Sequence, residues 1–118
     1  MSLEHSKANE LVSFIKENLT EGKADNIVEI EVDENFSEFD YLVIASGSSN
    51  RQVVSLAEKL VEDVKRTFKI RGKIEGKENA DWVLLDFDSV IVHIFRPEVR
   101  EYYQIEKIWK DHLRNLSN

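Results

Sequence analysis

Two aspartates at alternate positions, Asp86-Phe87-Asp88, are the first residues whose types and spacing could do chemistry. On a strand, alternate positions point the same way, so the two carboxylates could share a divalent cation. Upstream, Gly47-Ser48-Ser49-Asn50-Arg51 reads as a tight turn into a helix. Free N–H groups and the positive end of the helix dipole suit such a turn to anions, and Arg51 could add a guanidinium. Taken together, Gly47, Ser48 and Asp86 could hold a nucleotide and its metal. The same turn residues are also what helix capping alone requires. His93 is a lone imidazole in an apolar run, and Asp86 could orient it for acid–base work. No nucleophile stands beside it, and His5 and His112 lie near the chain ends without metal-ligand spacing. A structural histidine with one hydrogen-bond partner is the simpler reading. The run Glu98-Val99-Arg100-Glu101-Tyr102-Tyr103 joins large contact area to polar tips. That mixture suits a protein interface and equally a packed segment with a solvated side.

The nucleotide reading has gaps. No Walker lysine follows the glycine, and no GxGxxG fingerprint is present. A glycine–serine turn followed by Asp-x-Asp resembles the layout of nucleotidyltransferases, but there the acidic pair comes soon after the turn's helix. Here the region from Ile70 to Leu85 also intervenes, and Asp88 suits a turn on its own account.

The elements that must position these residues follow from periodicity. Ala8, Leu11, Val12, Ile15 and Leu19 recur at helical spacing, with Ser6 as N-cap and Gly22 as the stop. Val28, Ile30 and Val32 alternate with Glu29 and Glu31 as a half-exposed strand. An acidic connection, residues 33–40, leads to Tyr41-Leu42-Val43-Ile44-Ala45, whose lack of alternation predicts a strand covered on both faces. Val53, Ala57, Leu60, Val61, Val64 and Phe68 form one helical stripe. Ile70 to Gly76 is short and polar, suited to an edge strand or an ordered loop. The segment from Trp82 to Phe95 reads as a hairpin turning on Asp88 and Ser89. One of its faces is wholly apolar: Val83, Leu85, Phe87, Val90, Val92 and Ile94. The other pairs Trp82 with Phe95, Leu84 with His93 and Asp86 with Ile91, and is either a second core layer or a meeting surface. Pro97 opens a turn or helix, and Ile105, Ile108, Trp109 and Leu113 predict a last amphipathic helix. The order α-β-β-α-β-β-β-α predicts a single α/β domain, residues 1–118, with a mixed sheet.

Composition narrows the partners. A chain of 118 residues, 42% hydrophobic and 33% charged, suits one globular domain. Without cysteine, disulfides, zinc ribbons, iron–sulfur clusters and thiol catalysis are excluded. The net charge of −7 disfavours a nucleic-acid backbone and favours a basic protein partner. No apolar run approaches a membrane span and the N-terminus lacks a signal-peptide core, so a cytoplasmic protein is expected.

Several separated blocks, in order, carry a family resemblance. They are Asp40-Tyr41-Leu42-Val43-Ile44-Ala45-Ser46-Gly47-Ser48-Ser49-Asn50-Arg51-Gln52-Val53, then Ile74-Glu75-Gly76 and Ala80-Asp81-Trp82-Val83-Leu84-Leu85-Asp86. Val90 to Phe95 and Glu98 to Trp109 complete them. The chain resembles the ribosomal silencing factor, or Iojap-like, family. The resemblance implies a single domain with a mixed β-sheet and flanking helices, of nucleotidyltransferase-like topology without the catalytic carboxylates. It implies no enzyme activity and no cofactor or metal. It implies a homodimer when free, and binding to the large ribosomal subunit through ribosomal protein L-fourteen, which blocks subunit joining and represses translation when nutrients are scarce. Direct sequence-specific nucleic-acid binding is not implied. Matched position by position, Trp82, Val83, Leu84 and Asp86 form the contact strand, and His93, Glu98, Arg100 and Tyr103 match characteristic positions of the ribosomal-protein contact. Two departures stand out: Asp88 occupies a turn position where the family usually has glycine, and Ala80 precedes Asp81-Trp82 where glycine is common.

Overall fold

A computed structural model describes residues 3–32, 38–78, 80–104 and 107. Helix α1 (Leu3–Glu21) is followed by β1 (Asp25–Glu31), β2 (Tyr41–Ser46), α2 (Asn50–Phe68), β3 (Lys73–Glu75), β4 (Trp82–Asp86), β5 (Val90–Phe95) and α3 (Pro97–Tyr103). The five strands form one sheet in the order β1-β2-β5-β4-β3. Only β2 and β5 run parallel; β1 on β2, β4 on β5 and β3 on β4 are antiparallel. The expected α/β mixed sheet is therefore present, and Ile70 to Gly76 does contribute an edge strand. Residues 33–37 of the acidic connection lie outside the described residues, as do Ile105, Ile108, Trp109 and Leu113 of the predicted last helix.

Helices α1 and α2 cover one face of the sheet. Ala8, Leu11, Val12, Ile15 and Leu19 of α1 are all buried, as are Val53, Leu56, Ala57, Leu60 and Val64 of α2. They pack on Val43, Val83, Leu85, Val90, Val92 and Ile94 from the inner sheet face. At about 25 cal/mol per Å² of apolar surface removed from water, this layer is the main source of stability. Every residue of β2 is buried, as its continuous apolar run requires.

The helix ends differ in two ways from the sequence reading. Ser6 is not the N-cap of α1, because the helix already runs from Leu3. Gly22 does not supply the left-handed stop: that residue is Lys23, at φ 66. The Ala24 N–H reaches the Leu19 carbonyl at 2.9 Å and the Lys23 N–H reaches that of Thr20 at 3.0 Å, closing a Schellman motif. Gly22 is required for space, since a Cβ there would sit 2.5 Å from Leu56 Cδ2 on α2. Helix α2 starts on Ser49, whose side chain accepts from the Gln52 N–H at 3.1 Å.

The hairpin has the predicted register. Trp82 pairs with Phe95, Leu84 with His93 and Asp86 with Ile91. The Phe87 N–H donates to the Val90 carbonyl at 3.0 Å across a two-residue turn. Asp88 takes φ 72 there, a region that costs a residue with a Cβ but that aspartate tolerates better than most. Asp88 thus does the turn work for which glycine is the easier choice.

Candidate functional site

The second face of the sheet is a buried packing layer in part and open to solvent in part. Ile30, Val32, Leu42, Ile44 and Phe95 form a smaller buried cluster, with Val28, Trp82, Ile91 and Val99 packed around it and partly exposed. Strand alternation sorts β4: Val83 and Leu85 are wholly buried beneath the helices, while Trp82, Leu84 and Asp86 point outward and are half-buried. Val83 is therefore out of reach from the outer face, and it anchors β4 to the helix layer.

Trp82 is held from two sides. Its indole Nε1–H donates to His93 Nδ1 at 2.9 Å. Its ring lies 4.9 Å from that of Phe95, at an interplanar angle of 32°. The His93 ring stacks nearly parallel to Phe95, at 12°. An indole can only donate, so Nδ1 must be the unprotonated nitrogen of a neutral imidazole with its proton on Nε2. Burial pushes the pKa of His93 down from 6.5 to about 4, which keeps the ring neutral near pH 7. His93 is thus the structural histidine with one hydrogen-bond partner, and the alternative Asp86–His93 pair does not form: Trp82 takes the imidazole, and Asp86 Oδ1 accepts the Asp88 N–H at 2.8 Å. Asp88 is the turn residue, and the alternative pairing of its carboxylate with that of Asp86 is not built by the strand. Strand β4 ends at Asp86, so alternation does not extend to Asp88, and the described residues include no cluster of three or more metal-ligating side chains.

The Gly47-Ser48 turn is occupied by its own chain. The Gly47 N–H donates to the Phe95 carbonyl at 2.8 Å. The Ser48 N–H and hydroxyl both donate to Gln52 Oε1, at 2.5 and 2.7 Å. Gln52 Nε2 in turn reaches the carbonyls of Gly22 and Lys23, tying the start of α2 to the end of α1. The Gly47 and Ser48 donors are spent on the fold, so these two residues serve a capping and bracing role.

Short helix α3 closes the end of the sheet beside Trp82. Arg100 is buried and donates from Nη1 to Ser46 Oγ at 2.7 Å. Glu98 is exposed and pairs with Arg96 Nη2 at 2.8 Å. The Arg96 N–H donates to the Asp81 carbonyl at 3.0 Å, and its Nη1 meets Asp81 Oδ1 at 3.3 Å. Asn50 Nδ2 reaches the same carboxylate oxygen at 3.2 Å. This polar knot of Asn50, Asp81 and Arg96 joins the starts of α2, β4 and α3. Sequence reasoning missed it, although a signal was present: Asp81 and Arg96 flank the paired Trp82 and Phe95, so hairpin register alone sets them side by side. Tyr103 ends α3, and its side chain lies outside the described residues. Its neighbour Tyr102 is 81% exposed. The structure thus brings Trp82, Leu84 and His93 together, sets Asp86 at the hairpin turn, and places Glu98 and Arg100 on α3.

A family model described as "Ribosomal silencing factor during starvation" matches residues 5–117. A protein of Zymomonas mobilis named ribosomal silencing factor is 43% identical over 99 residues, covering 84% of this chain and 74% of its own. A namesake from Haemophilus influenzae is 40% identical over 100 residues, covering 84% and 97%. The crystal structure of a Chromobacterium violaceum protein superposes with a TM-score of 0.81 at 35% identity, covering 86% and 85% of the two chains.

Proposed function

Because the chain belongs to the family of ribosomal silencing factors, we propose that it docks on the large ribosomal subunit through ribosomal protein L-fourteen and thereby keeps the small subunit from joining. Translation then falls when nutrients are scarce, and no chemical step is needed. The observation that carries this reading is the fixed, half-exposed indole of Trp82. A large ring that is already immobile loses little conformational entropy on docking, and tryptophan is a favoured anchor at interface centres. Leu84 and Asp86 continue the contact along the outer face of β4, with Glu98 and Tyr103 beside it on α3. Val83, His93 and Arg100 act from behind, holding strand, indole and helix in place. The net charge of −7 favours encounter with a basic ribosomal protein. Cytoplasmic action accords with the bacterial relatives, and among the described residues no helix is long and apolar enough to cross a membrane. The free protein forms a homodimer in this reading.

The test is co-sedimentation with purified large subunits and binding to the isolated ribosomal protein, each for wild type and Trp82→Ala. Wild type should bind both and slow subunit joining. The variant, shown to be folded by circular dichroism, should bind neither tightly. Wild-type protein that ignores both subunit and isolated protein would sink the proposal.

A further inference from the structure

The charge of this chain is strongly segregated. Between residues 65 and 77 stand six cations, Lys65, Arg66, Lys69, Arg71, Lys73 and Lys77, with Glu75 as the one acid. The segment thus carries +5 in a chain of −7, which leaves −12 on the remaining residues. The fold gathers the segment instead of spreading it. The last turn of α2 and the approach to edge strand β3 line one groove of about 810 Å³, to which Lys65, Arg66, Lys69, Arg71 and Lys77 contribute together with Glu58 and Glu62. All six cations are exposed. Lys77 is paired with Glu58 at 2.7 Å and Arg66 with Asp63 at 2.7 Å. Lys65, Arg71 and Lys73 have no ion-pair partner among the described residues.

Two structural roles account for part of this. Lys65 and Arg66 face the negative end of the α2 dipole, and lysine on an edge strand discourages strand addition. Lys69 shares the helix-end role, since its Nζ donates to the Arg66 carbonyl at 3.1 Å, but neither role calls for Arg71 to line the same groove as those helix cations. We infer that this groove is a contact for the phosphate backbone of RNA, read without regard to base sequence. The inference rests on the ribosome-docking reading for the identity of that RNA: the rRNA next to the docked protein. An acidic domain approaching a ribosome meets basic protein and polyanionic RNA at once. Its acidic surface suits the first, and this groove is where it can tolerate the second.

The experiment measures binding of the full chain to a 16-base-pair RNA duplex of arbitrary sequence by fluorescence anisotropy, across about 50 to 200 mM salt. The probe proteins are wild type and the combined variant K65Q/K69Q/R71Q, which leaves Lys73, the cross-strand neighbour of Asp86, in place. All three positions are exposed and lie outside strands β3 and β4, and circular dichroism checks the fold. If the groove engages about four phosphates, wild-type affinity should fall roughly a hundredfold over that salt range. The combined variant should bind RNA at least about tenfold more weakly, bind the isolated ribosomal protein as wild type does, and bind large subunits more weakly. Three results would overturn the inference: no RNA binding by wild type, RNA binding unchanged in the variant, or an equal loss for the isolated ribosomal protein. Failure of wild type to bind that isolated protein counts against the docking reading alone, because the RNA arm is read separately.

Discussion

Charging His93 is expected to release Trp82, and stability should report it. The imidazole accepts the Trp82 Nε1–H through Nδ1, so a proton on Nδ1 removes the acceptor while leaving a charge in a site only 6% exposed. Burial depresses the folded-state pKa from 6.5 to about 4. With the folded value below the unfolded one, the unfolded chain takes the proton first as pH falls. Stability from neutral His93 is therefore complete above about pH 6.5 and is lost progressively toward pH 4. Linkage gives a loss of about 2 kcal/mol between pH 7.5 and 5, and about 3 kcal/mol by pH 4. The assay is urea unfolding at pH 7.5 and 5 for wild type and His93→Gln, whose side-chain oxygen can still accept from the indole without titrating. Wild type should lose about 2 kcal/mol more than the variant. Asp63 does not interfere: its hydrogen bond from Asn18, then Lys59, lowers its pKa, so its contribution is lost only below the usual carboxylate value of 3.8. Groups common to both proteins cancel in the difference. Equal losses in wild type and variant would refute the reasoning.

Three further outcomes are expected. Trp82→Ala should weaken binding to the isolated ribosomal protein by about 2 kcal/mol or more, roughly thirtyfold, whereas Trp82→Phe should retain part of that affinity; calorimetric titration separates them. Gly76 sits at φ 88 with the Trp82 carbonyl oxygen where a Cβ would project, so Gly76→Ala should destabilise by about 1–3 kcal/mol in thermal unfolding, and an unchanged Tm would contradict that. Asp88→Gly should relieve the left-handed turn residue and raise stability by about 0.5 kcal/mol, a rise of roughly 1–2 °C in Tm; a clear decrease would show that the aspartate side chain makes a contribution beyond the turn.

The order of elements was legible in the sequence because apolar periodicity reports which side of each segment meets water. The stripes of α1 and α2 and the full burial of β2 followed from that rule. Hairpin register was equally legible, because a two-residue turn fixes every cross-strand pair. Helix ends were not. Lys23 takes the left-handed stop, while Gly22 is kept small by the approach of Leu56 from α2, a non-local fact.

The candidate site divides along the same line. Sequence by itself determined that Trp82, Leu84 and Asp86 share one strand face with His93 and Phe95 across from them, since strand alternation leaves no choice. It also contained the basic run from Lys65 to Lys77, which a whole-chain charge of −7 conceals. Tertiary structure alone decided which groups those side chains spend their hydrogen bonds on. The imidazole went to the indole, Asp86 to the backbone of its own turn, and the donors of the Gly47-Ser48 turn to Gln52. Periodicity states where a side chain points; the partner it meets depends on distances set by packing between elements remote in sequence.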